Sequence, residues 1–100
     1  MTDRLASMRA MVAKQPDNAL LRFGLANELL KTNQLEEAVV ELSAYLERHN
    51  DEGNGWLRYA DALHTLGRDE EARAACVRGI AAAQRFGHSF LVGEFEAREY

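Results

Sequence analysis

A chain of 100 residues, 47% of them hydrophobic and 28% charged, is too apolar to be disordered and too short for more than one compact domain. Its net charge of −4, with 12 basic residues spread among acidic ones, argues against nucleic acid as a partner, because phosphate binding needs a clustered basic surface. No run of about 18 apolar residues is present that could span a membrane.

The cysteine content and the first residues favour a reducing compartment. Cys76 is the sole cysteine, so the chain cannot form an internal disulfide. Residues 1–9 are polar and charged, and they lack the apolar core of a secretion signal. The expected location is therefore the cytoplasm.

The first predicted element is a short helix over residues 3–14. Strong helix formers dominate the whole composition, while β-branched and aromatic residues are scarce. Within this segment the apolar residues are Leu5, Met8, Met11 and Val12. We expect this helix to pack against the helices that follow it.

The next predicted helix runs from about residue 18 to residue 31. Leu21, Leu25 and Leu29 recur every four residues and form one apolar stripe. Asn33 then lies in the predicted turn, and Asn is one of the two residues that best tolerate the left-handed conformation at the end of a helix.

A second helix is predicted to begin near Leu35. Glu36 and Glu37 fall in its first turn, where negative side chains meet the positive end of the helix dipole. Its apolar stripe consists of Ala38, Leu42, Tyr45 and Leu46. Residues 19–52 therefore form a helix–turn–helix unit.

Residues 53–86 repeat residues 19–52 at an interval of 34 residues. Gly67 takes the turn position of Asn33. Residues that are identical in the two repeats include Ala26 and Ala60, Leu29 and Leu63, and Ala38 and Ala72. These four alanines fall where paired helices cross, and only a small side chain lets two helix backbones approach to roughly 8–10 Å. The chain therefore contains two tandem repeats of one helical unit.

A last helix is predicted over residues 88–99. Gly87 ends the helix before it, and Ser89 is expected to cap its start. Its apolar residues are Phe90, Leu91 and Phe95. Its charged residues are expected to face solvent, and these are Glu94, Glu96, Arg98 and Glu99.

These repeats resemble the tetratricopeptide repeat family. Trp56, Ala60 and Ala72 match that family's pattern, whereas Arg22 takes the Trp position in the first repeat. Two further departures lie at the family's second Ala, where this chain has Tyr45 and Gly79. The resemblance implies an all-α fold in which about six helices stack as antiparallel pairs in a right-handed superhelix, forming one domain over the whole chain.

The resemblance also implies a concave groove lined by the first helix of each repeat. The groove positions are Leu20, Phe23, Asn27 and Leu30 in the first repeat, and Asn54, Leu57, Asp61 and His64 in the second. Arg58 lies beside them and is a candidate anchor for a ligand carboxylate. The alternative interpretation is that Phe23, Leu30 and Leu57 are core residues, since apolar residues at helical spacing commonly pack inside.

The resemblance favours a protein–protein interaction module that binds a peptide or helix of a cytoplasmic partner. The alternative is a structural role, in which the apolar groove or the terminal helices join two copies as a homodimer. We expect neither an enzyme nor a cofactor or metal site. The three histidines are too far apart for a helical metal pair, and Cys76 lies on an apolar stripe.

Overall fold

The computed structural model describes residues 3–100, and these form six α-helices without any strand. The helices are α1 (Arg4–Lys14), α2 (Ala19–Lys31), α3 (Leu35–Arg48), α4 (Asn54–Thr65), α5 (Asp69–Arg85) and α6 (Ser89–Glu96). None of the helices in this part of the chain is both long and apolar enough to cross a membrane. The all-α class predicted from the sequence is confirmed.

The helices fall into two compact units, which meet in sequence between His49 and Asn50. Unit 1 contains α1, α2 and α3, and unit 2 contains α4, α5 and α6. In each unit one pair of helices packs most extensively, α2 with α3 and α4 with α5. Each pair is joined by a three-residue turn, which makes its helices antiparallel. The single domain expected over the whole chain stays a prediction.

Left-handed residues end three of the helices. The backbone φ angle is +59° at Asn33, +79° at Gly67 and +75° at Gly87. At Gly67 the following residue closes the turn, because the Arg68 amide donates to the Leu63 carbonyl at 2.8 Å. The turn chemistry predicted at Asn33 and Gly67, and the helix end predicted at Gly87, are therefore confirmed.

The four alanines of the predicted helix crossings are fully buried. Ala26, Ala38, Ala60 and Ala72 each have 0% of their surface exposed. Each lies on one of the two packed helix pairs, so small side chains let the backbones approach. The predicted burial of these four alanines is confirmed.

The core of unit 1 joins α1 to the helix pair. It is built from Val12, Leu25, Leu29 and Ala38, with Leu5, Met8, Leu21 and Leu30 packed against it. Met11, the remaining apolar residue named for α1, is exposed. The buried face of α1 therefore contains three of the four apolar residues named from the sequence.

Unit 1 replaces the tryptophan of the repeat pattern with an ion pair. Arg22 Nη1 lies 2.9 Å from Glu41 Oε2, and the two side chains are only 15% and 16% exposed. A second guanidinium nitrogen of Arg22 donates to the Pro16 carbonyl at 2.8 Å. A charged residue is tolerated at this position because both of its sides are hydrogen-bonded.

Unit 2 requires glycine at the position of the family's second Ala. A Cβ atom on Gly79 would lie 2.2 Å from Phe95 Cζ and 2.9 Å from Trp56 Cβ. Phe95 comes from α6 and is 2% exposed, so its ring has little room to move away. Gly79 is therefore the residue that lets α6 pack on this unit.

The start of α4 is stabilised by a buried carboxylate. Asp51 is 7% exposed, and its Oδ1 accepts hydrogen bonds from the amides of Gly53 at 2.8 Å and Gly55 at 2.9 Å. These amides are among the donors that a helix leaves unpaired at its first turn. The sequence pattern did not single out Asp51.

The last helix differs from its prediction at both ends. The predicted cap at Ser89 is wrong, because Ser89 is the first helical residue and His88 precedes it without a side-chain capping bond. The helix ends at Glu96 and not at residue 99. Residues 98–100 therefore lie beyond the helix, and two of them contact α4.

Candidate functional site

The nine predicted groove residues lie on the first helices of the two pairs. Residues spaced by three, four, seven and ten positions share one side of a helix. We call the α2 face the set Leu20, Phe23, Asn27 and Leu30, and the α4 face the set Asn54, Leu57, Arg58, Asp61 and His64.

The α2 face changes from exposed to buried along its length. Leu20 is 83% exposed near the start of the helix. Phe23 is half-buried, and its ring stacks on Tyr45 of α3 with 4.7 Å between ring centroids. Leu30 packs against the core of unit 1. The face therefore offers an apolar contact surface at its first two turns, whereas Leu30 also serves the core.

Asn27 places an unusual polar atom on the α2 face. Its Oδ1 is buried and finds no hydrogen-bond donor within residues 3–100. A buried acceptor without a donor costs free energy. A donor supplied by a bound partner would remove that cost.

The first half of the α4 face is open. Asn54 and Arg58 are exposed, and Leu57 between them is half-buried. This part of the face presents an amide, a guanidinium and one apolar side chain to solvent. Such a mixture suits an amphipathic segment of another protein.

The second half of the α4 face is occupied by the segment that follows α6. Arg98 Nε lies 3.1 Å from Asp61 Oδ1, and Arg98 Nη2 lies 2.8 Å from Asp61 Oδ2. The hydroxyl of Tyr100 donates to Asp61 Oδ1 at 2.8 Å. One carboxylate on the face thus accepts three hydrogen bonds from two side chains of the segment.

His64 completes the contact with this segment. Its imidazole stacks on the ring of Tyr100, with 4.3 Å between centroids and 17° between planes. His64 Nδ1 is also hydrogen-bonded to Asp69 Oδ1 at 2.8 Å, which holds the imidazole in place. On the other side, Cys76 Sγ lies 3.9 Å from the Tyr100 hydroxyl oxygen. Tyr100 is therefore enclosed by groups from both α4 and α5.

The contacts change the proton affinities of the groups involved. Burial raises the pKa of Asp61, but hydrogen bonds from Arg98 and Tyr100 lower it by more, so the pKa lies below its ordinary value. The bond to Asp61 raises the pKa of Arg98, and burial together with the same carboxylate raises the pKa of Tyr100. Burial also raises the pKa of Cys76, which favours the neutral thiol.

The sequence analysis missed the two side chains that meet the α4 face. Arg98 was expected to face solvent, and this was wrong, since its side chain is 24% exposed and paired with Asp61. Tyr100 was not assigned to any surface. The available signal was weak, namely a basic and an aromatic residue two positions apart near the end of an amphipathic helix.

The contacts seen on the α4 face are an ion pair, hydrogen bonds and a stacked ring. Across the part of the chain that the structure describes, no three His, Cys, Asp or Glu side chains converge in a way that could hold a metal ion. The groups on the α4 face are a carboxylate already bound to Arg98, an imidazole stacked on a ring and an exposed guanidinium. These groups can form ion pairs, hydrogen bonds and ring contacts.

Comparison with known proteins supports the helical-repeat architecture. A family model described as tetratricopeptide repeat matches residues 1–83. The TPR repeat-containing protein PA0015 of Pseudomonas aeruginosa is 34% identical over 83 residues, which are 83% of this chain and 79% of that protein. The solution structure of protein BPP2914 from Bordetella parapertussis aligns with a TM-score of 0.78 at 31% identity, covering 96% of this chain and 84% of the other. These similarities confirm the predicted fold class.

Proposed function

Because the chain belongs to the tetratricopeptide repeat family, we propose that it is a protein–protein interaction module whose α2 and α4 faces bind a peptide or a helix of a partner protein. The observation that carries the proposal is that the α4 face already holds a peptide segment, residues 98–100 of the same chain, through an ion pair and a stacked ring. A surface that binds one segment by side-chain contacts can bind another.

The composition of the two faces supports a mixed apolar and polar ligand. Leu20, Phe23 and Leu57 provide apolar contacts, and such contacts supply most of the favourable free energy when a segment binds. Asn27 adds an unpaired acceptor on the α2 face and Arg58 adds an exposed cation on the α4 face, and each would orient a ligand on its own face. We expect a segment on the α2 face to pair apolar side chains with a hydrogen-bond donor, and one on the α4 face to pair an apolar side chain with a carboxylate.

The same residues support binding over catalysis. The carboxylate of Asp61 is bound by Arg98 and Tyr100, and the raised pKa of Cys76 keeps its thiol in the less nucleophilic form. A non-enzymatic role is therefore part of the proposal, together with the cytoplasmic location expected from the sequence.

The proposal is tested by co-purification from native cells with two surface variants. Leu20→Ser and Arg58→Ala change exposed side chains on the α2 and α4 faces. Recovery of the partner that copurifies with the unmodified chain should fall about tenfold or more, which corresponds to losing one binding hot spot. The matched control is Val40→Ser, which changes an exposed apolar residue of α3 and lies on neither face.

The melting temperatures of these variants should stay within a few degrees of the unmodified chain, since all three side chains are exposed. Undiminished partner recovery by both face variants would contradict the proposal, as would an equal loss with Val40→Ser. Phe23 is avoided here because its ring stacks on buried Tyr45, so its removal would also affect stability.

A second candidate function is self-association through the last helix. Phe90 of α6 is 79% exposed although it lies one repeat interval after the buried Trp56. A large exposed aromatic side chain is a typical interface residue. If two copies pair through it, light scattering should show a dimer, and Phe90→Ser should convert it to a monomer. An unmodified chain that stays monomeric at every concentration would exclude this candidate.

A further inference from the structure

We infer that the α4 face selects a partner segment in which an arginine is followed two residues later by a tyrosine, and that the chain's own residues 98–100 compete with that partner. The inference rests on the proposed function and names the ligand chemistry of one of its two faces. It is supported by the contacts that Arg98 and Tyr100 make with Asp61 and His64.

The segment meets the face with alternate side chains. The helix ends at Glu96, the Arg98 amide closes the turn that follows by donating to the Phe95 carbonyl at 3.1 Å, and Glu99 and Tyr100 lie outside any helix or turn. Arg98 and Tyr100 both contact Asp61, while Glu99 between them is exposed. Side chains two positions apart point the same way in an extended chain, so any extended segment with this spacing can present the same two groups.

The arginine position is selective for arginine over lysine. Asp61 receives two roughly parallel hydrogen bonds, one from Nε and one from Nη2 of Arg98. A guanidinium supplies both donors from one rigid plane, whereas an ammonium group is a point charge that cannot match both carboxylate oxygens in this way. Arg98 is 24% exposed, so the pair is partly removed from water and gains strength from that.

The tyrosine position is selective for a phenol. The ring stacks on His64, while the hydroxyl donates to Asp61 Oδ1. Phenylalanine would retain the stacking but would leave the carboxylate without one of its three donors, and an aliphatic residue would lose both contacts. Because both positions bind the same carboxylate, we expect arginine and tyrosine to contribute cooperatively.

The chain's own segment has an advantage over an external one. A short connection to α6 keeps residues 98–100 close to the face at an effective concentration in the roughly millimolar range. An external arginine–tyrosine segment must displace it, so its apparent affinity is reduced by the fraction of molecules in which the face is occupied. Opening the face should therefore strengthen external binding.

The equivalent positions of unit 1 lack this selectivity. Asn27 and Leu30 stand one repeat interval before Asp61 and His64, so the α2 face has neither a carboxylate nor an aromatic ring at these positions. An amide cannot form an ion pair with arginine, and leucine cannot stack on tyrosine. The α2 face therefore offers no equivalent site for an arginine–tyrosine segment.

The test uses the full chain and a synthetic peptide with the sequence Glu-Ala-Arg-Glu-Tyr, which is that of residues 96–100. The face is opened by the double variant Arg98→Ala/Tyr100→Ala. Binding is followed by NMR from the shifts of α4 backbone amides as peptide is added. We expect the open variant to bind the peptide about tenfold more tightly than the unmodified chain.

Two further variants, each made in the open variant, locate the binding. Asp61→Asn should weaken peptide binding about tenfold or more, because it removes the charge that arginine requires. Val40→Ser, which changes an exposed residue of α3 on neither face, should leave the affinity unchanged. A peptide with lysine in place of arginine should bind the open variant about tenfold more weakly, and one with phenylalanine in place of tyrosine should also bind more weakly.

Three results would overturn the inference. They are an open variant that binds the peptide no better than the unmodified chain, equal affinity for the arginine and lysine peptides, or an equal loss with Val40→Ser and Asp61→Asn. Circular dichroism of each variant verifies that the helices are intact. If the peptide fails while Leu20→Ser and Arg58→Ala still release the native partner, this inference falls and the proposed function stands. If those two variants retain the partner, the proposed function falls.

Discussion

The two repeats share a 34-residue interval, but at equivalent packing positions one has charged side chains and the other has hydrophobic ones. In unit 1 the ion pair of Arg22 and Glu41 bridges the two helices. One interval later the same positions hold Trp56 and Ala75, which are both buried hydrophobic residues. A charged pair and an aromatic–alanine pair can occupy equivalent positions because neither leaves a buried polar group without a hydrogen bond. The polar groups of the charged pair are hydrogen-bonded, and the aromatic–alanine pair has few polar groups.

Side-chain volume is also distributed differently in the two units. Tyr45 is a large buried residue of α3 that stacks on Phe23. Its counterpart is Gly79, and the space beside it is filled by Phe95 from α6. The size of the residue at a repeat position is thus set by the neighbour that packs against it, as well as by the repeat pattern.

A third pair of equivalent residues differs in burial. Asp17 precedes α2 and is 87% exposed, with Arg48 as its partner. Asp51 precedes α4, is 7% exposed and binds two backbone amides. One residue type therefore serves as a solvated surface charge in unit 1 and as a buried cap in unit 2.

The largest effect expected from this comparison concerns Phe95 and Gly79. Phe95→Ala should lower the free energy of unfolding by about 3–5 kcal/mol through the cavity it leaves. Gly79→Ala should lower it by about 1–3 kcal/mol through overpacking against the Phe95 ring. In the double variant the new methyl group enters the vacated space, so the loss should be smaller than the sum. Urea unfolding measures all three.

The control for these variants is Gly93→Ala. A Cβ atom on Gly93 would meet nothing within 4 Å, and the residue lies within α6. Alanine should therefore be neutral or stabilise by up to about 1 kcal/mol through helix propensity. Gly79→Ala as stable as the unmodified chain would contradict the proposed reason for its glycine.

The next effect concerns the two aspartates. Asp51→Ala should lower the free energy of unfolding by about 2 kcal/mol, because it leaves the amides of Gly53 and Gly55 without their acceptor. Asp17→Ala should change it by less than about 0.5 kcal/mol, since its ion pair with Arg48 is exposed. Equal losses in the two variants would show that burial does not distinguish these positions.

A smaller effect is expected for the ion pair of unit 1. Glu41→Ala should lower the free energy of unfolding by about 1–2 kcal/mol, because it leaves the guanidinium of Arg22 partly buried without its carboxylate. The double variant Arg22→Trp/Glu41→Ala installs the residues of unit 2 and should recover that loss. A double variant less stable than Glu41→Ala would show that the tryptophan–alanine pair of unit 2 cannot replace the ion pair of unit 1.

The smallest effect is the pH dependence of the α4 face. The pKa of Asp61 is lowered, so its bonds to Arg98 and Tyr100 are present above the ordinary pKa of an aspartate and are lost as the pH falls through the lowered value. The NMR signals of residues 98–100 should therefore move towards unfolded-chain positions only below the ordinary aspartate pKa of about 3.9. The equivalent residue of unit 1, Asn27, does not titrate.

The matching control is Asp61→Asn, in which those signals should already lie near the unfolded-chain positions at neutral pH and should change little with acid. The His64 ring also contacts this segment, by stacking on the ring of Tyr100. Signals of residues 98–100 that stay unchanged through acid in the unmodified chain would contradict the role assigned to the Asp61 charge. The global stability should change by less than about 1 kcal/mol, because the carboxylate is 44% exposed.

The features that the sequence determined on its own are those with local causes. The left-handed turns at Asn33 and Gly67 depend on the residue at the turn, and the four buried alanines depend on a small side chain at a fixed repeat position. Periodicity and turn chemistry together were therefore sufficient for the helix pairs and for the family resemblance.

Tertiary structure alone decided the contacts between distant residues. Arg98 and Asp61 are 37 positions apart, and they meet because α6 ends at Glu96 and releases the following residues towards α4. Gly79 is small because Phe95 packs there, and Asp51 is buried because the start of α4 needs its carboxylate. Each of these depends on where a second element lies in space, and one-dimensional spacing carries no information about that position.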